Sequence, residues 1–268
     1  MAQYEFGFIG TGHMGGALAK AAAKSIDPKR IILANRTPEK AARLAKELHC
    51  DCGGNEEAAA ARFVVLGVKP QMMADMLRGI APVLAARRDR FILVSMAAGL
   101  TMARISEMAG GDYPVIRITP NTPVEIGKGV ILMDANDKVT DGEKDDFLRA
   151  LDTAGKFDLV EERLFDAGGA VAGCGPAFAY MFIEALADGG VACGLPRAKA
   201  LSYAADMLAG AAALAASGEK HPGTLKDDVC SPGGSTIVGV RTLEERAFRG
   251  AVMDAVIASF EKTRALGK

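Results

Sequence analysis

Three glycines near the start of the chain, Gly10, Gly12 and Gly15 in GFIGTGHMGGALAKA, have the spacing of a loop that cradles phosphate. In such a loop the first glycine permits a tight turn. The second lets backbone approach a pyrophosphate, and the third lets a helix close on a strand. The amides that open the following helix then face the anion. Read this way, Ile9, Gly10, Thr11, Gly12, His13 and Met14 are candidate dinucleotide contacts, and a structural glycine turn is the plainer alternative. Many proteins share the motif, so its weight comes from its place between a strand-like run and a helical pattern.

The next strand-like run ends in ANRTPEK, where a unit selecting NAD usually offers an acidic side chain to the ribose. Asn35 and Arg36 stand there instead. A carboxylate repels a 2′-phosphate, whereas a guanidinium holds it with charge-assisted bonds, so NADPH is the favoured cofactor. NADH stays open, as does a solvated loop charge at Arg36. Two further loops, GVKPQ and SMAAG, fall at strand ends where open α/β sheets bind ligands, and they add Gly67, Val68, Lys69, Pro70, Ala97, Ala98 and Gly99. Lys69 reads equally as a surface charge. Asn55, in GGNEEAAAA, reads as a helix cap that also reaches the cofactor or as a cap alone.

A second cluster of small residues, CSPGGSTIVGV, interrupts the alanine-rich end of the chain. The segment that follows, TIVGVRTLEE, is compatible with a helix. Residues Ser231 to Thr236 would therefore place several backbone N–H groups at a helix start, an anion site that needs no Arg or Lys. A glycine-rich turn between helices is the alternative.

These sites require elements to hold them. Up to residue 160 short β-branched runs alternate with helical patterns, the rhythm of parallel strands joined by crossover helices. Strands are expected at 5–9, 30–34, 63–68, 91–96, 115–118, 129–133 and 157–160, with helices at 14–24, 38–48, 70–86, 101–108 and 141–153. Beyond about residue 161 the β signal disappears. Residues 176–193 are apolar on nearly every face, as in a helix covered on all sides. Another helix follows Pro196, and a last one is expected over 243–266. The fold class is α/β: a doubly wound N-terminal sheet over 1–160, then an all-helical domain over 161–268.

Charges of both signs nearly cancel to −1 among 268 residues, half of them hydrophobic, so nothing favours nucleic acid or an anionic membrane as partner. The apolar stretches, such as 209–216, look shorter than the roughly 20 residues a membrane span needs. No secretory signal pattern opens the chain. Five scattered cysteines, an odd number, read as reduced thiols and a cytoplasmic location, and no metal site is expected.

Taken in order, GTGHMG, GVKPQ, VIRITPNTP, AVAGCGPAF and HPGTLKDDVCSPGGSTI resemble the signatures of pyrroline-5-carboxylate reductases across essentially the whole chain. The last block is the most specific. The resemblance implies NAD(P)H-dependent reduction of 1-pyrroline-5-carboxylate to proline. It implies a Rossmann domain followed by a helical domain that interlocks with a second subunit, giving a homodimer or higher homo-oligomer. It also implies that the Thr236 hydroxyl contacts the substrate ring nitrogen, and that Ser231, Gly233, Gly234 and Ser235 lie on the loop holding the substrate carboxylate. Hydride transfer to a protonated imine can be driven by positioning and electrostatics, with Thr236 orienting the nitrogen rather than acting as a strong acid.

Several positions depart from the family pattern: His13 for Asn, Ala172 and Cys174 for Ser, Phe178 for Tyr, Ser235 for Thr, and Asp228 where Asn also occurs. A β-hydroxyacid dehydrogenase shares the FIGTGHMGG opening but needs a lysine that AVAGCGPAF lacks. A nucleotide-binding relative without chemistry is the other alternative.

Overall fold

The computed structural model describes residues 3–266. The chain divides into two compact units: residues up to Cys174 together with those from Ser259 onward, and Gly175–Ala258. This division lies later than the 160/161 boundary expected from the fading β pattern. The reason is that residues 161–174 are helical by sequence yet pack on the sheet.

In the first unit β1 (Phe6–Ile9), α1 (His13–Ser25), β2 (Ile31–Ala34), α2 (Pro38–Leu48), β3 (Asp51–Cys52) and α3 (Asn55–Ala58) alternate. They are followed by β4 (Phe63–Leu66), α4 (Pro70–Ala86), β5 (Ile92–Ser95), α5 (Met102–Ala109), β6 (Val115–Thr119), β7 (Gly129–Ala135), α6 (Asp141–Ala150), β8 (Gly155–Leu159) and α7 (Phe165–Gly168). The strands form one sheet in the order β3-β2-β1-β4-β5-β6-β7-β8. Two cores cover it. On one face α1, α2 and α6 bring Leu18, Ala45 and Phe147 onto Phe6, Phe8 and Phe63. On the other, α4 and α5 bring Met73, Leu77 and Ile105 onto Ile9, Val64 and Leu93. Burial on both faces explains why FVVL and ILVS lack polar alternation.

Three departures from the expected elements have local causes. β3 is an exposed pair of residues at the sheet edge, too short to leave a pattern. β7 runs antiparallel to β6. Their connection, 120–128, is shorter than the roughly one dozen residues a parallel crossover requires, and it is filled by a 3₁₀ turn, Thr122–Ile126. The helix expected over 141–153 ends at Ala150 and tightens into a 3₁₀ turn.

Glu162 to Ala192 form a continuous helical run that passes through a π turn, Gly169–Gly173, into α8 (Gly175–Ala192). By length and composition alone this run is long and apolar enough to cross a membrane, a test that the core helix of a globular protein also passes. The second unit continues with α9 (Arg197–Ala216), α10 (Pro222–Val229), α11 (Ser235–Glu245) and the start of α12 (Phe248–Leu266). The helix expected over 243–266 is thus two helices. Ala247 sits at φ 55°, and the amides of Arg246 and Ala247 close on the carbonyls of Leu243 and Glu244, which ends α11.

Within the second unit α8 packs on α9, Asp188 pairs with Arg197, and the Phe182 ring lies tilted against that of Phe248, their centroids 5.8 Å apart. Along α8 only Ala187 is buried. The all-round burial expected for this helix is therefore not supplied by its own chain.

Candidate active site

The glycine loop leaves β1 with Gly10 at φ +98°. A Cβ there would stand 2.7 Å from the Gly67 carbonyl, and one on Gly15 would stand 2.1 Å from the Gly10 oxygen. Gly10, Gly15 and Gly67 therefore close on one another, fixing the starts of α1 and of the β4–α4 connection. Gly12 differs. A Cβ on it would meet nothing within 4 Å, so its lack of a side chain leaves open space rather than a packed contact. It is also the N-cap of α1 and provides no side-chain acceptor for the first amides of that helix. Thr11 is buried beside it, and its hydroxyl has no hydrogen-bond partner among the described residues. Open space, uncapped amides and an orphaned hydroxyl at one helix start fit the phosphates of a dinucleotide.

A cleft of about 350 Å³ opens at the carboxyl ends of the strands. Met14, Gly67, Val68, Lys69 and Pro70 line it, as do Ala97, Ala98 and Gly99. Here Lys69 is the N-cap of α4, its side chain exposed and making no cap bond. Gly99 turns the loop after β5 at φ +77°. Thr11, Gly12 and His13 line a separate cleft with Lys40 and Arg43, and His13 lies 3.9 Å from Glu125.

Asn35, Arg36 and Asn55 are not in the lining of the larger cleft. The Asn35 amide donates to the Thr37 carbonyl, and Arg36 is exposed with Nη1 4.0 Å from the Met72 sulfur. Asn55 is the first residue of α3 and not its cap. Gly54 occupies the cap, and its amide donates to Glu57 Oε2 at 2.6 Å.

Residues to which the sequence assigned no cofactor or substrate role also line the cleft, among them Arg117 and Thr119 of VIRITPNTP, Cys174 of AVAGCGPAF, and Phe165 and Asp166, which fall in no motif. A signal existed for Arg117, a charge inside the strand VIRIT. Asn121, in the same motif, is buried; it donates to the Ala172 carbonyl and accepts from the Val130 amide, tying β7 to the π turn. The contact uses backbone at 172, so the alanine there costs it nothing.

In the second unit Ser231 to Gly234 make a β-turn in which the Gly234 amide donates to the Ser231 carbonyl at 3.0 Å. Pro232 at the second position and Gly233 at φ +69° at the third are the residues a type II turn demands. Gly234 then caps α11 without a side-chain acceptor, so no cap side chain takes up the first amides of that helix. A Cβ on Gly234 would stand 2.4 Å from Ser231 Oγ. Ser231, Gly233, Ser235 and Thr236 are exposed.

The first unit contains a match, over residues 5–99, to the family model described as NADP oxidoreductase, coenzyme F420-dependent. Residues 162–266 match the model described as pyrroline-5-carboxylate reductase dimerisation. Along 98% of its length the chain is 40% identical to a pyrroline-5-carboxylate reductase of Pisum sativum, covering 96% of that protein. The chain belongs to the pyrroline-5-carboxylate reductase family. To the Escherichia coli reductase it is 36% identical, with 98% of each chain covered. Its fold superimposes on the crystal structure of the Plasmodium falciparum pyrroline carboxylate reductase with NADP bound at a TM-score of 0.90 and 30% identity, with 100% of both chains covered.

Proposed function

We propose that the chain reduces 1-pyrroline-5-carboxylate to L-proline with NADPH as the favoured hydride donor. The observation that carries this reading is the Ser231–Thr236 turn, which delivers the uncapped start of α11 with a threonine hydroxyl beside it. A small cyclic imine bearing one carboxylate needs that combination: N–H donors for the carboxylate and one polar contact for the ring nitrogen. The names of the curated relatives support the same substrate.

The bound dinucleotide would supply the hydride, held by Thr11, by the α1 amides, and by the 67–70 and 97–99 loops. Thr236 Oγ1 would accept the N–H of the protonated imine and orient the ring. It is a poor acid, so the proton comes with the substrate or from water. Arg36 follows β2 where no carboxylate stands, which favours the 2′-phosphate of NADPH over the bare ribose of NADH. The hydroxyacid dehydrogenase alternative is not favoured, since AVAGCGPAF folds into the π turn and the start of α8 without a lysine. The reading includes a homodimer or larger homo-oligomer in the cytoplasm.

NADPH oxidation on addition of pyrroline-5-carboxylate, with proline identified as product, tests the activity. Thr236→Ala is expected to lower kcat about tenfold or more, the scale of one lost hydrogen bond, with NADPH affinity little changed. An unchanged rate would reject the contact.

A further inference from the structure

Arg117 is a charge placed inside a central strand, between Ile116 and Ile118, with its side chain only 5% exposed. In the sheet it stands beside Ser95 of β5 and across from Asp134 of β7. Its Nη1 donates to Glu162 Oε1 at 3.0 Å, its Nη2 lies 3.6 Å from Asp166 Oδ1, and its guanidinium covers the Phe165 ring at 4.7 Å. Burying an arginine in this way is costly unless it is paired. Two carboxylates already answer its charge, so Arg117 is unsuited to receive the carboxylate of a substrate even though it lines the cleft.

Glu162 makes the pairing more than local. Its Oε1 also accepts the amide of Met102, the first residue of α5, at 2.7 Å, while its own amide donates to Asp134 Oδ2 at 2.6 Å. Met102 ends the loop in which Ala97, Ala98 and Gly99 line one wall of the cleft. From Glu162 the chain runs through Phe165 and Asp166 to Gly169, Gly173 and Cys174, which also line it. The Arg117–Glu162 pair is thus where both wall segments converge, and the Arg117 Nε–H is buried without an acceptor among the described residues.

We propose that Arg117, acting through Glu162, is a positioning residue for hydride transfer that holds the 97–99 loop and the 169–174 turn in register around the reacting rings. The proposal rests on the reading of this cleft as part of the cofactor site. Misplacement by about 1 Å can cost roughly a hundredfold in rate, so a tether remote from the chemistry can govern it.

The test uses the full chain carrying Arg117→Met, Arg117→Lys or Glu162→Gln, read by amide hydrogen exchange and by kinetics with ordinary and C4-deuterated NADPH. For Arg117→Met, exchange over 97–102 and 169–174 should quicken about tenfold or more while β1 and β2 stay as in the parent. Its kcat should fall ten- to a hundredfold with the KM for NADPH within about threefold, and the isotope effect on kcat should rise as chemistry becomes limiting. Arg117→Lys should recover part of kcat. Should Arg117→Met fail to fold, Glu162→Gln, which leaves the arginine in place, is held to the same readouts. A kcat within twofold of the parent, a KM effect alone, or exchange that quickens everywhere would overturn the proposal. A parent chain that reduces no imine would sink the functional reading and this one with it, whereas an active parent with unmoved variants sinks this one only.

Discussion

At Gly10 the backbone lies at φ +98° and a Cβ would press on the Gly67 carbonyl, so both torsion and space oppose any side chain. Gly10→Ala is expected to lose NADPH binding and about 1–3 kcal/mol of stability, read by cofactor titration and thermal unfolding. Arg36 belongs to a different class. It is exposed, its Nη1 reaches only toward the Met72 sulfur at 4.0 Å, and no ion pair holds it among the described residues. Arg36→Asp should therefore leave stability nearly unchanged while shifting the kcat/KM ratio from NADPH toward NADH by about tenfold or more, since it replaces attraction to a 2′-phosphate with repulsion. An unaltered ratio would remove Arg36 from the cofactor site. All five cysteines are free thiols, and burial pushes the Cys50 thiol up to about 11, which keeps it protonated at neutral pH.

Among the elements, α6 has a start built for stability. Thr140 and Glu143 form a capping box, and Glu143 also takes a two-pronged pair from Arg90 at 2.7 and 2.8 Å. Arg90, more than the cap, holds the Glu143 carboxyl down at about 2, below its ordinary 4.5. A depressed carboxylate stabilises the fold above its unfolded value, and this contribution is lost as pH falls from about 4.5 toward 2. Glu143→Gln should cost about 1.5–3 kcal/mol at pH 7. The gap between variant and parent should close across that acidic window, as followed by denaturant unfolding at several pH values. A gap that stayed constant down to pH 2 would contradict the assigned pairing.

For the molecule as a whole, the second unit presents apolar side chains that its own helices leave uncovered, among them Met181 at 70% exposure and Tyr203 at 57%. Clusters of exposed apolar side chains mark interaction surfaces. The unit's match to a dimerisation model points to a second copy as the cover. Met181→Glu is expected to shift the chain toward monomer in size-exclusion chromatography with light scattering and to lower its melting temperature. A parent chain already monomeric would refute the oligomeric reading.

Most of the sheet was legible in the sequence because β1, β2, β4 and β5 are short apolar blocks buried on both faces and the helices packed on them carry a periodic apolar face. The glycine loop was legible for a related reason: only glycine tolerates the φ of residue 10 and the approach of residue 15. The reversed direction of β7 was written in a connection too short for a crossover, a constraint of chain length rather than residue type. Arg117 and Glu162 lie 45 residues apart in sequence, and neither has a pattern that announces the other. Their pairing, like the cleft they brace, exists only once β6 and the stretch before α7 are laid together. The apolar run of α8 required that water be excluded from it, but local sequence carries no record of which surface does the excluding.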